Sequence, residues 1–492
     1  MSDVPRLLST QHPDNATLPF FTEGDIIEGD DEIQEAYYVY SHLGCDEQMW
    51  DFEGKEGDEY AVKKLLSRYD DYFRGTRLGD DVRLTLRGPN PAVEESEAKI
   101  LLEILESIPR SFDAAARYAE EYDLPTVAPI HEVIVPMVTD AAQVNAVHRY
   151  YEEFVADKTD MRVGDDMTVG DWVGRFEPAA IDVIPLIEER TAMLDAADIV
   201  RDYARTHNRD SVRVFLARSD PALNYGSLAA DLINKVALTR LYRMADAEGI
   251  TVHPILGAGP SPFRGGFAPP TVDRVTDAYS EVETFTVQSG FKYDHPIEAV
   301  TAALDRVKAA ELGGAPTPLD EERALAVIDR TADAYARQVD AVAPTVNRLT
   351  RYVPDRRARK LHVGLFGYSR EVGENQLPRA IGYTAALYSV GCPPTLLGLD
   401  ALTDADAAFV TDAFPSFFDA LADAARYYNP RCTEILDLSP DALEAGLEHV
   451  DVETDPTHRE ATSTVIDALQ SNDDDAARSG VRRAARQRQF LG

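Results

Sequence analysis

Short apolar runs alternate with longer amphipathic stretches from about residue 48 to residue 395 of this chain. The runs are "QMWDFEG" (48–54), "VRLTLRG" (82–88), "TVAPIHE" (126–132), "IDVIPLIE" (181–188), "VRVFLARSD" (212–220), "ITVHPILGAG" (250–259), "TFTVQSG" (284–290) and "HVGLFGYSR" (362–370). Each has the length and β-branched or aromatic content of a buried strand. Between them lie stretches with helical spacing of apolar residues, such as "EESEAKILLEILESI" (94–108) and "SLAADLINKVALTRLYRMADAEG" (227–249). Eight strands with intervening helices predict an α/β fold, a closed (β/α)₈ TIM-type barrel; an open doubly wound sheet is the alternative. Beyond residue 395 the pattern is helical, broken at "VDVETDPTHRE" (450–460) and "QSNDDD" (470–475), and "ELGGAPTPLDEE" (311–322) reads as a loop. The expected organisation is one catalytic domain, 1–492, with a barrel over roughly 45–395 and additional helices over roughly 396–492.

Charge removes several classes of partner. The chain of 492 residues carries 86 acidic and 49 basic residues, a formal net charge of −37. Phosphate backbones need a positive footprint, so nucleic acid is excluded as a partner. Acidity spread along the whole length, with few lysines beside many arginines, predicts a protein adapted to concentrated salt, where self-repulsion is screened. Cys45, Cys392 and Cys432 are too few for a disulfide framework and lack metal-ligand spacing. With no basic-then-apolar leader and no run near the ~20 apolar residues of a membrane span, a soluble cytoplasmic protein is expected.

The chemistry gathers at the ends of the runs. Read to their C-terminal ends they give Glu53, Arg87, Glu132, Glu188, Asp220, Gln288 and Arg370, and the loop after "ILGAG" carries Arg264. In a barrel that end holds the active site. Glu188 and Asp220, one β/α/β step apart, fall on neighbouring strands; two carboxylates there suit a hard cation such as Mg²⁺ or Mn²⁺. "PSPFRGGFAPP" (260–270) surrounds Arg264 with residues that let backbone approach a ligand closely. Arg370 and Arg379 flank a glycine-containing loop and can close on one anion. No P-loop, H-E-x-x-H or complete G-x-G-x-x-G is present.

Near the start, "LLSTQHPDN" (7–15) places His12 before Pro13, Asp14 and Asn15, which by composition is a capped turn. At the other end, "VRRAARQRQFLG" (481–492) concentrates arginines and then closes on apolar residues and glycine. The arginines alone read as a solvated helix end, where cations complement the helix dipole; the apolar ending predicts instead a tail folded back onto the acidic body near the barrel mouth or a subunit interface.

"STQHPDN", "MWDFEGKE", "LTLRGPNP", "FRGGFAPP" and "GYSRE…LPRAIGYTAALYSVGCPPTLLG", in this order, resemble the compact archaeal-type phosphoenolpyruvate carboxylase over nearly the whole chain. The resemblance implies a barrel lyase that joins phosphoenolpyruvate and bicarbonate, through carboxyphosphate and a metal-held enolate, to give oxaloacetate and phosphate. It implies Mg²⁺ or Mn²⁺ on Glu188 and Asp220, substrate-gripping Arg264, Arg370 and Arg379, a less secure phosphate-side Arg87, a catalytic His12, and a homotetramer. Larger relatives have an arginine where this chain has Ala258 and a lysine where it has Leu223. The rival readings are another metal-dependent barrel lyase or phosphotransferase acting on phosphoenolpyruvate or pyruvate, and an inactive salt-adapted barrel scaffold.

Overall fold

Eight parallel strands close into a barrel in strict chain order: β1 (Leu7–Ser9), β2 (Glu47–Asp51), β3 (Arg83–Arg87), β4 (Glu132–Val135), β5 (Asp182–Ile187), β6 (Ser211–Ala217), β7 (Thr251–Gly257) and β8 (Thr284–Val287). The computed structural model describes residues 4–55, 57–358, 370–372 and 375–492, with the backbone alone for 370–372 and 375–376. Closure is made by β1, whose Leu7, Leu8 and Ser9 pair with Phe285, Thr286 and Val287 of β8. The longest register is between β6 and β7, from Ser211↔Thr251 to Ala217↔Gly257.

Two of the sequence expectations are corrected here. The run 126–132 is not a strand: Pro125 precedes it and Pro129 interrupts it, and β4 starts where that run ends, at Glu132. The eighth barrel position belongs to Leu7–Ser9, so the barrel begins well before residue 45. Of the run 362–370, residues 362–369 lie outside the described residues. Arg370 opens β9 (Arg370–Val372), which pairs antiparallel with β10 (Asn375–Leu377), apart from the barrel sheet.

Along its axis the barrel is layered. Its middle is apolar, formed by Leu8, Met49, Ile134, Ile184, Leu186, Phe215, Ala217 and Ile255. At the N-terminal end of the strands the filling is ionic. Arg213 donates to Glu47 at 2.7 and 3.0 Å and to Glu132 at 2.7 Å, and Thr85 donates to Glu47. Burial is the largest single influence on the Glu47 carboxyl and pushes it up, but the Arg213 charge and hydrogen bonds, with Thr85 and Arg83, together hold it below its usual range. A sealed floor leaves the C-terminal rim as the open end.

Helices cover the outside, as their amphipathic spacing requires. The stretch read at 227–249 is the helix Ser227–Glu248, which packs on the long helix Glu321–Leu349. After Ala380–Ser389 come further helices, ending with Pro456–Ser471 and Asp474–Arg488, which pack on each other. Among the described residues no helix is long and apolar enough to cross a membrane. The three cysteines are free and buried.

Candidate active site

A cavity of about 610 Å³ opens at the C-terminal rim, and its walls bring together His12, Arg87, Glu188, Asp220, Arg264 and Arg379. The side chain of Arg370 lies outside what the structure describes.

His12 stands three residues beyond β1, in a turn secured from several sides. Lys292 Nζ donates to the Thr10 carbonyl at 2.8 Å, and Thr10 Oγ1 lies 2.7 Å from His12 Nδ1. Asp14 accepts from the Gly290 amide at 2.7 Å, and Asp294 accepts from the Ala16 and Thr17 amides, each at 2.7 Å. Burial pushes the Asp294 carboxyl up to about 7. Arg356 donates to the Asn15 and Ala16 carbonyls at 2.8 and 2.7 Å. The capped turn is therefore real, and it presents an imidazole to the cavity.

Arg87 ends β3 and is gripped by two carboxylates. Its Nε and Nη2 donate to Asp51 at 2.9 and 2.7 Å, and its Nη1 lies 2.9 Å from Glu53. The other oxygen of Glu53 accepts from Arg379 at 2.7 Å. One carboxylate thus fixes the spacing of two cavity arginines. Burial, and then the Glu53 charge, push the nearby Glu94 carboxyl up to about 7.

Arg264 sits at the end of the short turn Pro262–Arg264 and is fully buried. It donates to Ser219 at 3.1 Å, Asp14 at 2.9 Å, Gln288 at 2.5 Å and the Gly492 carbonyl at 2.7 Å. A Cβ at Gly259 would stand 2.8 Å from the Arg264 guanidinium carbon, and Gly265 adopts φ +112°; the loop needs glycine at both. Ala258 and Leu223 are buried and supply no charge. Behind the loop, the buried Arg218 pairs with Asp231 and donates to the Phe263 carbonyl at 3.1 Å.

Glu188 directly follows β5, and Asp220 lies in the first turn of the helix Ser219–Tyr225 that follows the adjacent β6. Both carboxylates line the cavity, as do the hydroxyl-bearing Ser219 and the amide of Gln288. An all-oxygen donor set of this kind fits a hard divalent cation. Glu132, by contrast, is at the ionic floor, held by Arg213.

A different grouping, His148, Glu152 and His207, also brings ligand-type atoms within 4.8 Å of one another. It is not part of the cavity wall. The two imidazoles lie face against face, tilted by 33° with centroids 3.8 Å apart, whereas a metal is bound in the plane of each ring. Their nitrogens are engaged instead: His148 with Tyr203 at 3.0 Å and Glu152 at 3.1 Å, His207 with Asn145 at 3.0 Å.

The tail completes the wall. After the helix Asp474–Arg488, Gln489 turns the chain at φ 60°, Phe490 packs edge-on to Tyr388, and the Leu491 amide donates to the Asp14 carbonyl at 2.7 Å. Leu491 lines the cavity and Gly492 reaches Arg264, as the apolar ending predicts. Arg356 and Arg357 were not singled out by the sequence reading; the basic run "DRRARK" (355–360) is the signal that marks them. Arg357 is locked by Glu35 at 2.6 and 2.8 Å and reaches Glu32 at 3.3 Å.

Comparison with known proteins identifies the family. The chain is 73% identical over 492 residues to a phosphoenolpyruvate carboxylase of Halobacterium salinarum, covering 100% of both chains. It is 48% identical to that of Methanospirillum hungatei over 99% of this chain and 100% of the other, and 47% identical to that of Pyrococcus abyssi over 88% and 90%. A solved aldolase/citrate lyase family protein of Burkholderia cenocepacia, at 16% identity and TM-score 0.33 over 62% of this chain and 95% of that one, is too distant to bear on function. The rim cavity thus belongs to a chain that the family model for phosphoenolpyruvate carboxylase matches over residues 4–492, and the chain belongs to that family.

Proposed function

We propose that this chain, acting as one catalytic domain, joins phosphoenolpyruvate and bicarbonate to give oxaloacetate and phosphate. The observation that carries the reading is the convergence of His12, Glu188, Asp220 and the arginines on one rim cavity in a chain of this family. Glu188 and Asp220 hold Mg²⁺ or Mn²⁺, and the ion supplies positive charge where negative charge develops on oxygen. Arg264, Arg370 and Arg379 bind the substrate anion, with Arg87 on the phosphate side; Glu53, bridging Arg87 and Arg379, presets their spacing.

Bicarbonate attacks the phosphoryl group, and the arginines offset the charge that builds on its oxygens. The products of that step are carboxyphosphate and the enolate of pyruvate. His12 manages the proton on the carboxyl group as carboxyphosphate collapses to phosphate and CO₂, which the enolate carbon then captures. Leu491 keeps water from that corner of the cavity, where protonation of the enolate would end the cycle. The proposal extends to a cytoplasmic homotetramer adapted to high salt, supported by the family resemblance and by the excess of 86 acidic over 49 basic residues.

The test is a coupled assay for oxaloacetate and phosphate at high KCl, with and without bicarbonate. Strict dependence of both products on bicarbonate is expected. Phosphate release that continues without bicarbonate would replace this reading with another lyase or phosphotransferase acting on the same substrate.

A further inference from the structure

A second cavity, of about 400 Å³, abuts the first and shares Ile26, Val353, Pro354, Asp355 and Arg356 with its wall. Five guanidiniums line it: Arg351, Arg356, Arg478, Arg482 and Arg486. The last three stand four residues apart on one face of the helix Asp474–Arg488. In a chain with 86 acidic residues against 49 basic ones, arginines are expected to find carboxylates. Arg483 of the same helix does, at 3.1 Å from Glu460.

The five do not. Among the described residues none has a carboxylate within 4.0 Å, although Asp25 and Asp355 line the same cavity. Among the described residues, Arg351, Arg356 and Arg478 donate to backbone carbonyls alone. Arg356 is held below its usual pKa chiefly by burial, with Arg482 and Arg486 adding to the effect. A helix dipole accounts for a cation in the last turn, such as Arg486. It does not account for Arg478 in the helix interior, or for Arg351 and Arg356 arriving from another segment. Converging like charges cost free energy that a multiply charged anion offsets, and guanidinium forks match tetrahedral oxyanions.

We propose that this cavity is a second anion site, for a dianion of the phosphate class, at the rim of the active site. The ligand is free phosphate or a phosphate ester; that these are the reaction's own product and substrate rests on the proposed carboxylase activity. Arg356 belongs to both cavities and holds the carbonyls of the His12 turn, so an occupant there pulls on the residue that positions the turn.

Phosphate binding is measured on the full chain in molar KCl by equilibrium dialysis and ³¹P line broadening, without turnover. The native protein should bind phosphate at two sites. The double variant Arg482→Gln/Arg486→Gln, with both changes on an exposed helix face, should lose about tenfold or more in affinity at one of them. Circular dichroism checks its fold, and Arg478→Gln alone serves if the double variant is unstable. Displacement of both phosphates by phosphoenolpyruvate assigns the ester to the new site; displacement of one assigns free phosphate. A single site in the native protein, or unchanged two-site binding in the variants, overturns the proposal. Two-site binding in a protein that makes no oxaloacetate would sink the carboxylase reading and leave this one standing.

Discussion

Deleting residues 489–492 isolates what the tail contributes to the site. Phe490 and Leu491 are 4% and 1% exposed. Burying two such side chains stabilises the docked tail by about 3–6 kcal/mol. The charge-assisted bond from Arg264 to the Gly492 carbonyl adds about 1.5–3 kcal/mol. Ordering four residues costs about 4–8 kcal/mol of backbone entropy. The terms nearly cancel, so the tail is docked by a margin of only about 0.5–1 kcal/mol. Its loss also releases Arg488, whose buried Nε and Nη1 lack partners and whose guanidinium burial holds down to about 10. The truncated protein should therefore melt within a few degrees of the parent. Its kcat should fall about tenfold or more, because the cavity loses the Leu491 wall and Arg264 loses an acceptor. Steady-state kinetics and calorimetry on the same preparations decide the matter. Full activity after truncation would refute the reasoning, and a collapse of thermal stability would make the tail a structural prop.

His12→Asn should leave phosphoenolpyruvate binding nearly intact and lower oxaloacetate formation by a factor on the order of 10² or more; wild-type turnover would return His12 to the role of a turn residue. Glu188→Ala and Asp220→Ala should each weaken Mn²⁺ binding, followed by paramagnetic relaxation, and unchanged affinity in both would move the ion elsewhere. Glu94 ionises at about 7 in the fold against an ordinary 4.5, so the stability its protonated form provides is complete below pH 4.5 and lost as pH rises through 7. Glu94→Gln, uncharged throughout, should gain melting temperature relative to the parent across that window and hold the gain above it; parallel curves would remove the cause. The net charge of −37 predicts melting temperatures that climb with KCl into the molar range, and a flat profile would detach the acidity from salt adaptation.

How much of this was legible in the sequence follows from how much signal each element carries. The run at 227–249 spans six helical turns of apolar spacing and was placed to within a residue. The strand β1 has three residues and offers no periodicity; it exists because β2 and β8 flank it, a tertiary fact. Missing it shifted the barrel's start and left His12 in a capped turn with no strand before it. Glu132 was misread for a related reason, since prolines broke the run that seemed to end there. Strand ends located Arg87, Glu188 and Asp220 because a barrel turns its strand termini into one rim. What the sequence could not show is pairing across long separations, such as Glu53 with Arg379, or Arg264 with both Asp14 and Gly492.

That last side chain has a consequence for biosynthesis. Arg264 touches residues 14, 219, 288 and 492, and the barrel itself closes only when residues 7–9 meet residues 285–287. Synthesis runs from the N-terminus at about 5–20 residues per second, so an emerging chain passes through a long interval with an open sheet and then a closed barrel without its tail. During that interval Arg264 and Asp14 have not yet met the residue that caps them. The pocket is finished only after the barrel has closed and residues 491 and 492 have docked on Asp14 and Arg264. A chain lacking residues 489–492 would keep its barrel strands and lose both the Leu491 wall and the Gly492 carbonyl that Arg264 holds, so the fold can be present before the cavity is finished.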